Sequence, residues 1–156
     1  MKKIIIIFLL LLCLNNFLIL GQSTKVFDTI PKLSKLDTFI NTWKGKPYSY
    51  GGTSINGIDC SAFVQKFYYE IFDITLPRTA HSQYKSSVKI PKEKIDVGDL
   101  LFFISPSSPS RWHVAVYLGN NMMAHASNKK RGVVVDKMTQ SLIKNIYAVG
   151  RFNKTT

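Results

Sequence analysis

The chain has little cysteine. Among its 156 residues there are two, Cys13 and Cys60, and Cys13 lies in an apolar stretch near the N-terminus. If that stretch is removed as a signal segment, Cys60 is the single thiol of the remaining chain, which excludes an internal disulfide. A fold that depends on disulfide bridges is therefore not expected, and Cys60 is expected to be a free thiol.

Acidic residues are also scarce. Nine Asp and Glu residues stand against 21 Lys and Arg residues, for a formal net charge of +12. A basic exported domain is attracted to anionic polymers and membrane surfaces, but scattered basic residues also serve solubility, and the sequence leaves both interpretations open. We find no nucleic-acid-binding motif and expect no nucleic-acid partner. The paired ligand motifs of structural zinc sites are missing as well, so neither a metal nor another cofactor is expected.

The N-terminal segment has the pattern of a secretory signal. Lys2 and Lys3 form a basic start, residues 4–14 are an unbroken apolar run, and cleavage is expected after the small residue Gly21. The protein is therefore expected to be exported to the periplasm or the cell wall. Retention as a membrane anchor remains open, because the apolar stretch approaches the ~17 residues that can span a bilayer. Lipidation of Cys13 is a further alternative.

The sequence predicts three successive segments. They are a signal peptide over residues 1–21, a linker over residues 22–33 and one domain over residues 34–156. We see no internal repeat and no low-complexity tract, and the length suits a single domain that acts as a monomer.

Helical patterns dominate the first half of the domain. Apolar residues at helical spacing predict a helix over residues 34–44. Asp59 is a suitable N-cap for a second helix from Cys60 to about Phe72, whose apolar residues form a stripe at the 3.6-residue period. Thr79 can cap a short third helix.

Strand-like segments dominate the second half. We predict a buried strand at residues 100–104, followed by a meander of four strands at residues 113–118, 122–127, 132–136 and 147–152. Helices that precede an antiparallel sheet are typical of the α+β class.

Cys60, His113 and His125 are the candidate catalytic residues. Cys60 opens a predicted helix, where the helix dipole and the unpaired backbone N–H groups favour a thiolate and can bind an oxyanion. We therefore expect a lowered pKa for its thiol. His113 would accept the proton of Cys60 and return it to a leaving amine, and His125 would hold the other ring nitrogen of His113.

This assignment requires a particular pairing of the two strands that carry the histidines. With a three-residue loop at residues 119–121, Ala115 would face His125, and His125 would share one face of the sheet with His113, on the diagonal. A two-residue loop would instead place His125 on the opposite face. The catalytic interpretation therefore predicts a three-residue turn with a bulge, and Asn121 in the left-handed conformation.

Each of these residues also has a structural interpretation. A buried lone cysteine is commonly a small apolar residue, and a histidine at the start of a strand is commonly a surface residue. Cys60 and the two histidines could also bind zinc, although the usual ligand spacing is missing. His81 is a rival base, but it falls in the short helix after Thr79 and is expected at the surface.

Several spaced motifs resemble the NlpC-type cell-wall peptidases, a papain-like family of peptidoglycan endopeptidases. The resemblance covers residues 36–152. Its motifs are, in order, Tyr48-Ser49-Tyr50-Gly51-Gly52, Gly57-Ile58-Asp59-Cys60-Ser61, Leu76-Pro77-Arg78-Thr79, Gly98-Asp99-Leu100-Leu101-Phe102-Phe103, His113-Val114-Ala115-Val116-Tyr117-Leu118-Gly119 and His125-Ala126-Ser127. The resemblance implies a papain-like α+β fold, in which the nucleophile helix packs on a C-terminal antiparallel sheet.

The resemblance also implies a role for individual side chains. It gives the nucleophile, base and orienting roles to Cys60, His113 and His125. Tyr48 matches a tyrosine whose hydroxyl lies by the oxyanion, and the residues that match the lining of the substrate cleft are Asp59 and Ser61.

The implied reaction is hydrolysis of an amide bond in peptidoglycan stem peptides through a thioester acyl-enzyme. Two bonds are possible targets, the D-Ala–diaminopimelate crosslink and the γ-D-Glu–diaminopimelate bond. The motif spacing is closest to that of the family branch that cuts the crosslink. An envelope regulator or adaptor could localise the enzyme, since no wall-anchoring repeat is visible. Other interpretations are a non-catalytic wall-binding module, a papain-like lipid acyltransferase and a secreted antibacterial toxin.

Overall fold

The computed structural model describes residues 34–106 and 108–153. The chain divides into two compact units, Met1–Thr38 and Phe39–Thr156. Of the first unit, only the last five residues are described, and these are helical. The predicted signal peptide with its cysteine and the predicted linker lie outside the described residues. Within the described ranges, no helix is long and apolar enough to cross a membrane.

Two helices supply the aromatic part of the core. Helix α1 comprises residues 34–43, and helix α2 spans Cys60–Phe72. The ring of Phe39 lies 5.4 Å, centroid to centroid, from the rings of both Phe63 and Phe67. All three rings are buried. The apolar stripes predicted for the two helices therefore pack against each other.

Side-chain caps define where the helices begin. The carboxylate of Asp59 accepts a hydrogen bond from the backbone N–H of Ala62 at 2.8 Å, which starts α2 at the expected residue. Asp73 ends α2 in the left-handed conformation, with φ at 58°. Helix α3 spans Ala80–Ser86, and the hydroxyl of Thr79 caps it as expected.

The described residues form eight strands. Strands β1 and β2 make a small antiparallel hairpin just before α2. The other six form an antiparallel sheet in the order β3-β8-β4-β5-β6-β7. In chain order the strands are β1 (Thr53–Ser54), β2 (Gly57–Ile58), β3 (Val88–Ile90), β4 (Leu100–Ile104), β5 (Trp112–Gly119), β6 (Met122–Asn128), β7 (Gly132–Lys137) and β8 (Ala148–Arg151).

The last strand does not continue the predicted meander. Strands β4 to β7 are sequential neighbours as expected, but β8 pairs with β4 and β3 at the other side of the sheet. A short helix that the sequence did not predict, α4 (Gln140–Asn145), lies between β7 and β8. Gly150 faces Leu100 of β4, and a Cβ at this position would collide with the hydroxyl of Ser87. The glycine therefore lets β8 lie close to the chain before β3.

The sheet is covered on both faces. On one face, Leu101, Phe103 and Ala115 belong to a buried apolar cluster against which Leu142 and Ile143 of α4 pack. On the other face, strands β5 and β6 contact α2, and side chains alternate between the two faces along each strand. The observed α+β architecture confirms the predicted fold class.

A buried turn connects α2 to the start of β4. The hydroxyl of Tyr68 donates to the carbonyl of Gly98 at 2.6 Å. The next residue, Asp99, is buried and accepts two hydrogen bonds from Arg151 of β8, at 2.7 and 2.8 Å. The turn thus joins the helical layer to two central strands through a buried hydrogen bond from Tyr68 and a partly buried ion pair with Arg151.

We expect Tyr68→Phe to lower the free energy of unfolding by about 1 to 2 kcal/mol, because the carbonyl of Gly98 would lose its buried donor. The neighbouring Tyr69 is 61% exposed, so Tyr69→Phe is a matched control that should change stability by less than about 0.5 kcal/mol. Urea unfolding followed by circular dichroism measures both. Equal unfolding midpoints for the two variants would show that the Tyr68 hydroxyl does not stabilise the turn.

Candidate active site

Cys60 is the first residue of α2, and the residue is buried, with 7% of its surface exposed. Burial raises the pKa of the thiol to about 11, although the backbone N–H groups of Val114, Ser61 and Cys60 itself act in the opposite direction. The charge of Asp59 raises the pKa further. The expectation of a lowered pKa at this helix terminus was therefore wrong, because burial outweighs the N–H groups.

The two histidines predicted to act together are in contact. His113 on β5 and His125 on β6 lie with Nε2 and Nδ1 at 2.7 Å. Burial, together with the neighbouring His125, lowers the pKa of His113 to about 3. His113 is therefore neutral at physiological pH and can accept a proton.

No hydrogen bond joins Cys60 to His113 among the described residues. The thiol instead meets the backbone N–H of Val114, which directly follows His113 in β5. The candidate nucleophile and the candidate base thus lie on elements in contact, at the N-terminus of α2 and the start of β5. Contacts of this kind are often long without substrate and shorten when it binds.

The register that aligns the histidines arises differently from the prediction. Val116 pairs with Ala124, so His125 comes opposite Ala115 as expected. The loop, however, has two residues, Asn120 and Asn121, both in the left-handed conformation with φ at 50° and 58°.

A bulge in β5 explains why His125 still lies opposite Ala115 although the loop is shorter than predicted. Tyr117 pairs with Met123, whereas Gly119 pairs with Met122, which leaves Leu118 as an extra residue in β5. The extra residue restores the alternation that a two-residue loop alone would invert. Asn121 is left-handed as predicted, but the three-residue loop was wrong.

A carboxylate that the sequence analysis missed contacts the second histidine. Nε2 of His125 lies 3.1 Å from Oδ2 of Asp136 on β7. Arg131 donates to both oxygens of Asp136, at 2.8 and 2.5 Å. The hydrogen bond from Arg131, followed by that from His125, holds the pKa of Asp136 at about 2 against the effect of burial. Extending the register argument from β6 to β7 could have found it, because Asp136 is the one charged residue of the strand predicted at residues 132–136.

Tyr48 lies beside the thiol. The pKa of Tyr48 is raised by burial and then by the neighbouring Cys60 and Asp59. Tyr48 also lines a cavity of about 260 Å³ together with Cys60 and Arg78. The role by the oxyanion that the sequence resemblance implied for Tyr48 stays a prediction.

Asp59 and Ser61 line the same cavity, but their polar groups already have protein partners. Asp59 accepts from the Ser61 hydroxyl at 2.9 Å and from Arg78 at 2.8 and 3.0 Å. Arg78 also donates to the Ser61 hydroxyl at 3.0 Å. Of the three side chains Arg78 is the most exposed, at 38%, so it offers the most polar surface to a bound molecule. Arg78 was not among the predicted site residues, although its motif was noted.

His113, the candidate base, lines a second cavity. This cavity, of about 570 Å³, is lined by His113, Lys129 and Lys130. It shares Tyr48, Tyr50 and Ser108 with the cavity at Cys60. The two cavities thus share a wall between the thiol and the imidazole, where an extended substrate could reach both.

His81, which the sequence offered as a rival base, lies at the surface. His81 is exposed on α3 and stacks on Trp112, with ring centroids 4.9 Å apart. Because His81 is exposed and its ring stacks on Trp112, it is a surface residue, as expected.

In residues 34–106 and 108–153, no group of three or more His, Cys, Asp or Glu side chains could hold a metal ion.

Comparison with known proteins places this arrangement in a family. The family model described as NlpC/P60 matches residues 45–151. The chain belongs to the NlpC/P60 family. This confirms the resemblance that the sequence motifs gave.

Two curated relatives illustrate the match. The chain is 35% identical over 125 residues to the probable endopeptidase NlpC of Escherichia coli, covering 80% of this chain and 77% of that protein. It is 37% identical over 109 residues to the murein DD-endopeptidase MepS/murein LD-carboxypeptidase of the same species, covering 70% of this chain and 56% of that protein.

A solved structure agrees with the fold. The crystal structure of an NlpC/P60 family protein from Bacillus cereus superposes with a TM-score of 0.63 at 34% sequence identity. The superposition covers 74% of this chain and 39% of the Bacillus protein. The chain therefore spans about two fifths of that larger protein, and the shared part is the α+β domain.

We expect Cys60 to react slowly with iodoacetamide near neutral pH, because only the thiolate reacts and the pKa of the thiol is raised to about 11. The alkylation rate should rise about tenfold per pH unit from about pH 7 to about pH 10. The measurement uses the full chain with Cys13→Ser, so that Cys60 is the reactive thiol, and the same chain with Cys60→Ala as the blank. A rate that is flat from about pH 5 to about pH 9 would instead indicate a preformed thiolate–imidazolium pair.

Proposed function

We propose that the protein is a cysteine endopeptidase that hydrolyses amide bonds in peptidoglycan stem peptides. The observation that carries the proposal is a buried thiol at a helix N-terminus that meets the backbone N–H directly after His113, together with the partly buried, hydrogen-bonded pair of His113 and His125. Membership in a family with curated relatives named endopeptidase and murein DD-endopeptidase confirms the enzyme class expected from the sequence.

In the proposed reaction His113 is the base. It takes the proton of Cys60 when substrate is bound, and the sulfur attacks the carbonyl carbon of the scissile amide. The oxyanion is stabilised by the backbone N–H groups at the start of α2 and by the hydroxyl of Tyr48. His113 then protonates the leaving amine, which leaves a thioester on Cys60. Water, activated by His113, hydrolyses the thioester to a carboxylate and regenerates the thiol.

The charge around the two cavities suits an anionic substrate. Asp59 is the one acidic residue that lines either cavity, and Arg78 pairs with it at 2.8 Å. Lys129 and Lys130, at the wall near His113, are exposed cations without an acidic side chain within salt-bridge distance in the described residues. Stem peptides carry free carboxylates, which two such ammonium groups attract.

The proposal extends to location and assembly. A peptidoglycan substrate places the enzyme in the cell envelope, and the signal-like residues 1–21 would direct its export to the periplasm or cell wall. We propose that it acts as a monomer, with an envelope regulator or adaptor that restrains it.

We expect the purified full chain to digest crosslinked peptidoglycan and Cys60→Ala to leave it intact, with products identified by mass spectrometry. Crosslinked dimers converted to tetrapeptide monomers would identify the D-Ala–diaminopimelate bond as the target. Stem peptides cut after D-Glu would agree with the same mechanism and would identify the γ-D-Glu–diaminopimelate bond as the target. Identical products from both folded proteins would contradict the hydrolase and favour a wall-binding module, whereas transfer of an acyl chain to or from a lipid would indicate an acyltransferase.

We expect the double variant Lys129→Glu/Lys130→Glu to lower kcat/KM on a soluble crosslinked peptide about tenfold at low salt, mainly through KM. The loss should shrink as ionic strength rises. Lys66→Glu/Lys85→Glu is the matched control, because it changes net charge equally at exposed helix positions that line neither cavity. Equal losses in both double variants would show that only the overall basic charge matters.

A further inference from the structure

We infer that Asp136, oriented by Arg131, is a positioning residue that fixes which ring nitrogen carries the proton in both histidines. Through this chain of hydrogen bonds it leaves Nδ1 of His113 unprotonated and available to Cys60. The inference deepens the proposed function and rests on it.

The assignment of protons follows from what each group can donate. An ionised carboxylate only accepts hydrogen bonds, so the 3.1 Å contact requires a proton on Nε2 of His125. A neutral imidazole has one N–H, and Nδ1 of His125 is therefore an acceptor. The group 2.7 Å away, Nε2 of His113, must then be the donor. The proton of neutral His113 is thereby held on Nε2, and Nδ1 has a free lone pair.

The charges agree with this assignment. Asp136 stays ionised because Arg131 and then His125 hold its pKa at about 2 against burial. Burial lowers the pKa of His125, and this effect exceeds the opposing effect of Asp136, while Arg131 adds to it. His113 is also neutral, as shown above. Both histidine rings are therefore neutral, and the hydrogen bond to the Asp136 carboxylate fixes their orientation.

Arg131 gives the carboxylate a defined direction. Its Nη1 and Nη2 donate separately to Oδ2 and Oδ1 of Asp136, so both oxygens are fixed in the plane of the fork. The Asp136 side chain is 21% exposed, and that of Arg131 is 48% exposed. A solvated carboxylate without this fork could turn towards water. With it, Oδ2 keeps facing His125.

The backbone also brings Asp136 to the correct face of the sheet. His125 pairs with Val134, so Asp136 lies two residues further along β7 on the same face. This register depends on a shift at Ser127, between the pairs at Ala126 and at Asn128. Without the extra residue, Asp136 would face the other side of the sheet.

The test combines kinetics with nitrogen-15 NMR of the histidine rings in the full chain. We expect Asp136→Ala to lower kcat about tenfold to a hundredfold with little change in KM, because part of the His113 population would then carry its proton on Nδ1 and could not accept one from Cys60. The ring proton of His113 should move from Nε2 towards a mixture with Nδ1. Asp136→Asn keeps an oxygen acceptor and should lose less than about tenfold. Lys137→Ala, on the same strand and exposed, is the matched control and should change neither readout.

The outcomes separate positioning from mere stability. If Asp136→Ala lowers kcat while the His113 proton stays on Nε2, or if kcat is unchanged, the inference is overturned. Thermal unfolding checks that each variant is folded, and Asp136→Asn still tests the inference if the alanine variant is not. A native protein that cleaves no peptidoglycan overturns the proposed function, while the ring-proton measurement still decides the role of Asp136.

Discussion

The candidate active site depends on one buried carboxylate. Asp59 accepts hydrogen bonds from the backbone of Ala62 and Gly51 and from the side chains of Ser61 and Arg78. These donors belong to three parts of the chain: the first turn of α2, the turn before β1 and the loop before α3. Burial opposes the charge of Asp59, but the hydrogen bonds from Arg78, Ala62 and Ser61 outweigh it and lower its pKa. The carboxylate therefore stays ionised and fixes the residue that follows it, Cys60.

This construction has a chemical consequence. The same charge that fixes the start of α2 raises the pKa of the adjacent thiol, and burial raises it more. The substrate-free site then holds a neutral thiol beside a neutral His113. Because the thiolate is the form that oxidants attack, a protonated thiol resists oxidation until substrate arrives. In the proposed mechanism, the transfer of the Cys60 proton to His113 therefore takes place when substrate is bound and not in the substrate-free protein.

Local signals explain why much of the fold was predictable from the sequence. Asp59 and Thr79 cap helices, and the cap positions set the starts of α2 and α3. The buried strand β4 was also found, because it is a continuous apolar run of five residues. Helix α4 and strand β3 were missed, because both are short, with 6 and 3 residues, and neither contains a fully buried residue. The position of β8 depends on pairing with β4, which is a contact between distant parts of the chain that local patterns do not record.

For the candidate catalytic residues, too, local sequence patterns predicted one part and contacts between distant parts of the chain decided the other. The residue types and spacing predicted that His113 and His125 act together, and these two side chains are in contact, but the link from His125 to Asp136 depends on the registers of two hairpins. Each hairpin contains a one-residue shift, at Leu118 in β5 and at Ser127 in β6.

Each shift inverts the alternation beyond it, and the two together bring side chains from three strands to one face. Removing the shift at Leu118 would separate His125 from His113, and removing the shift at Ser127 would separate Asp136 from His125. At Leu118 and Ser127 the structure therefore requires an extra backbone residue but no particular side chain. This explains why neither position stands out in the sequence, although the chain of hydrogen bonds requires both.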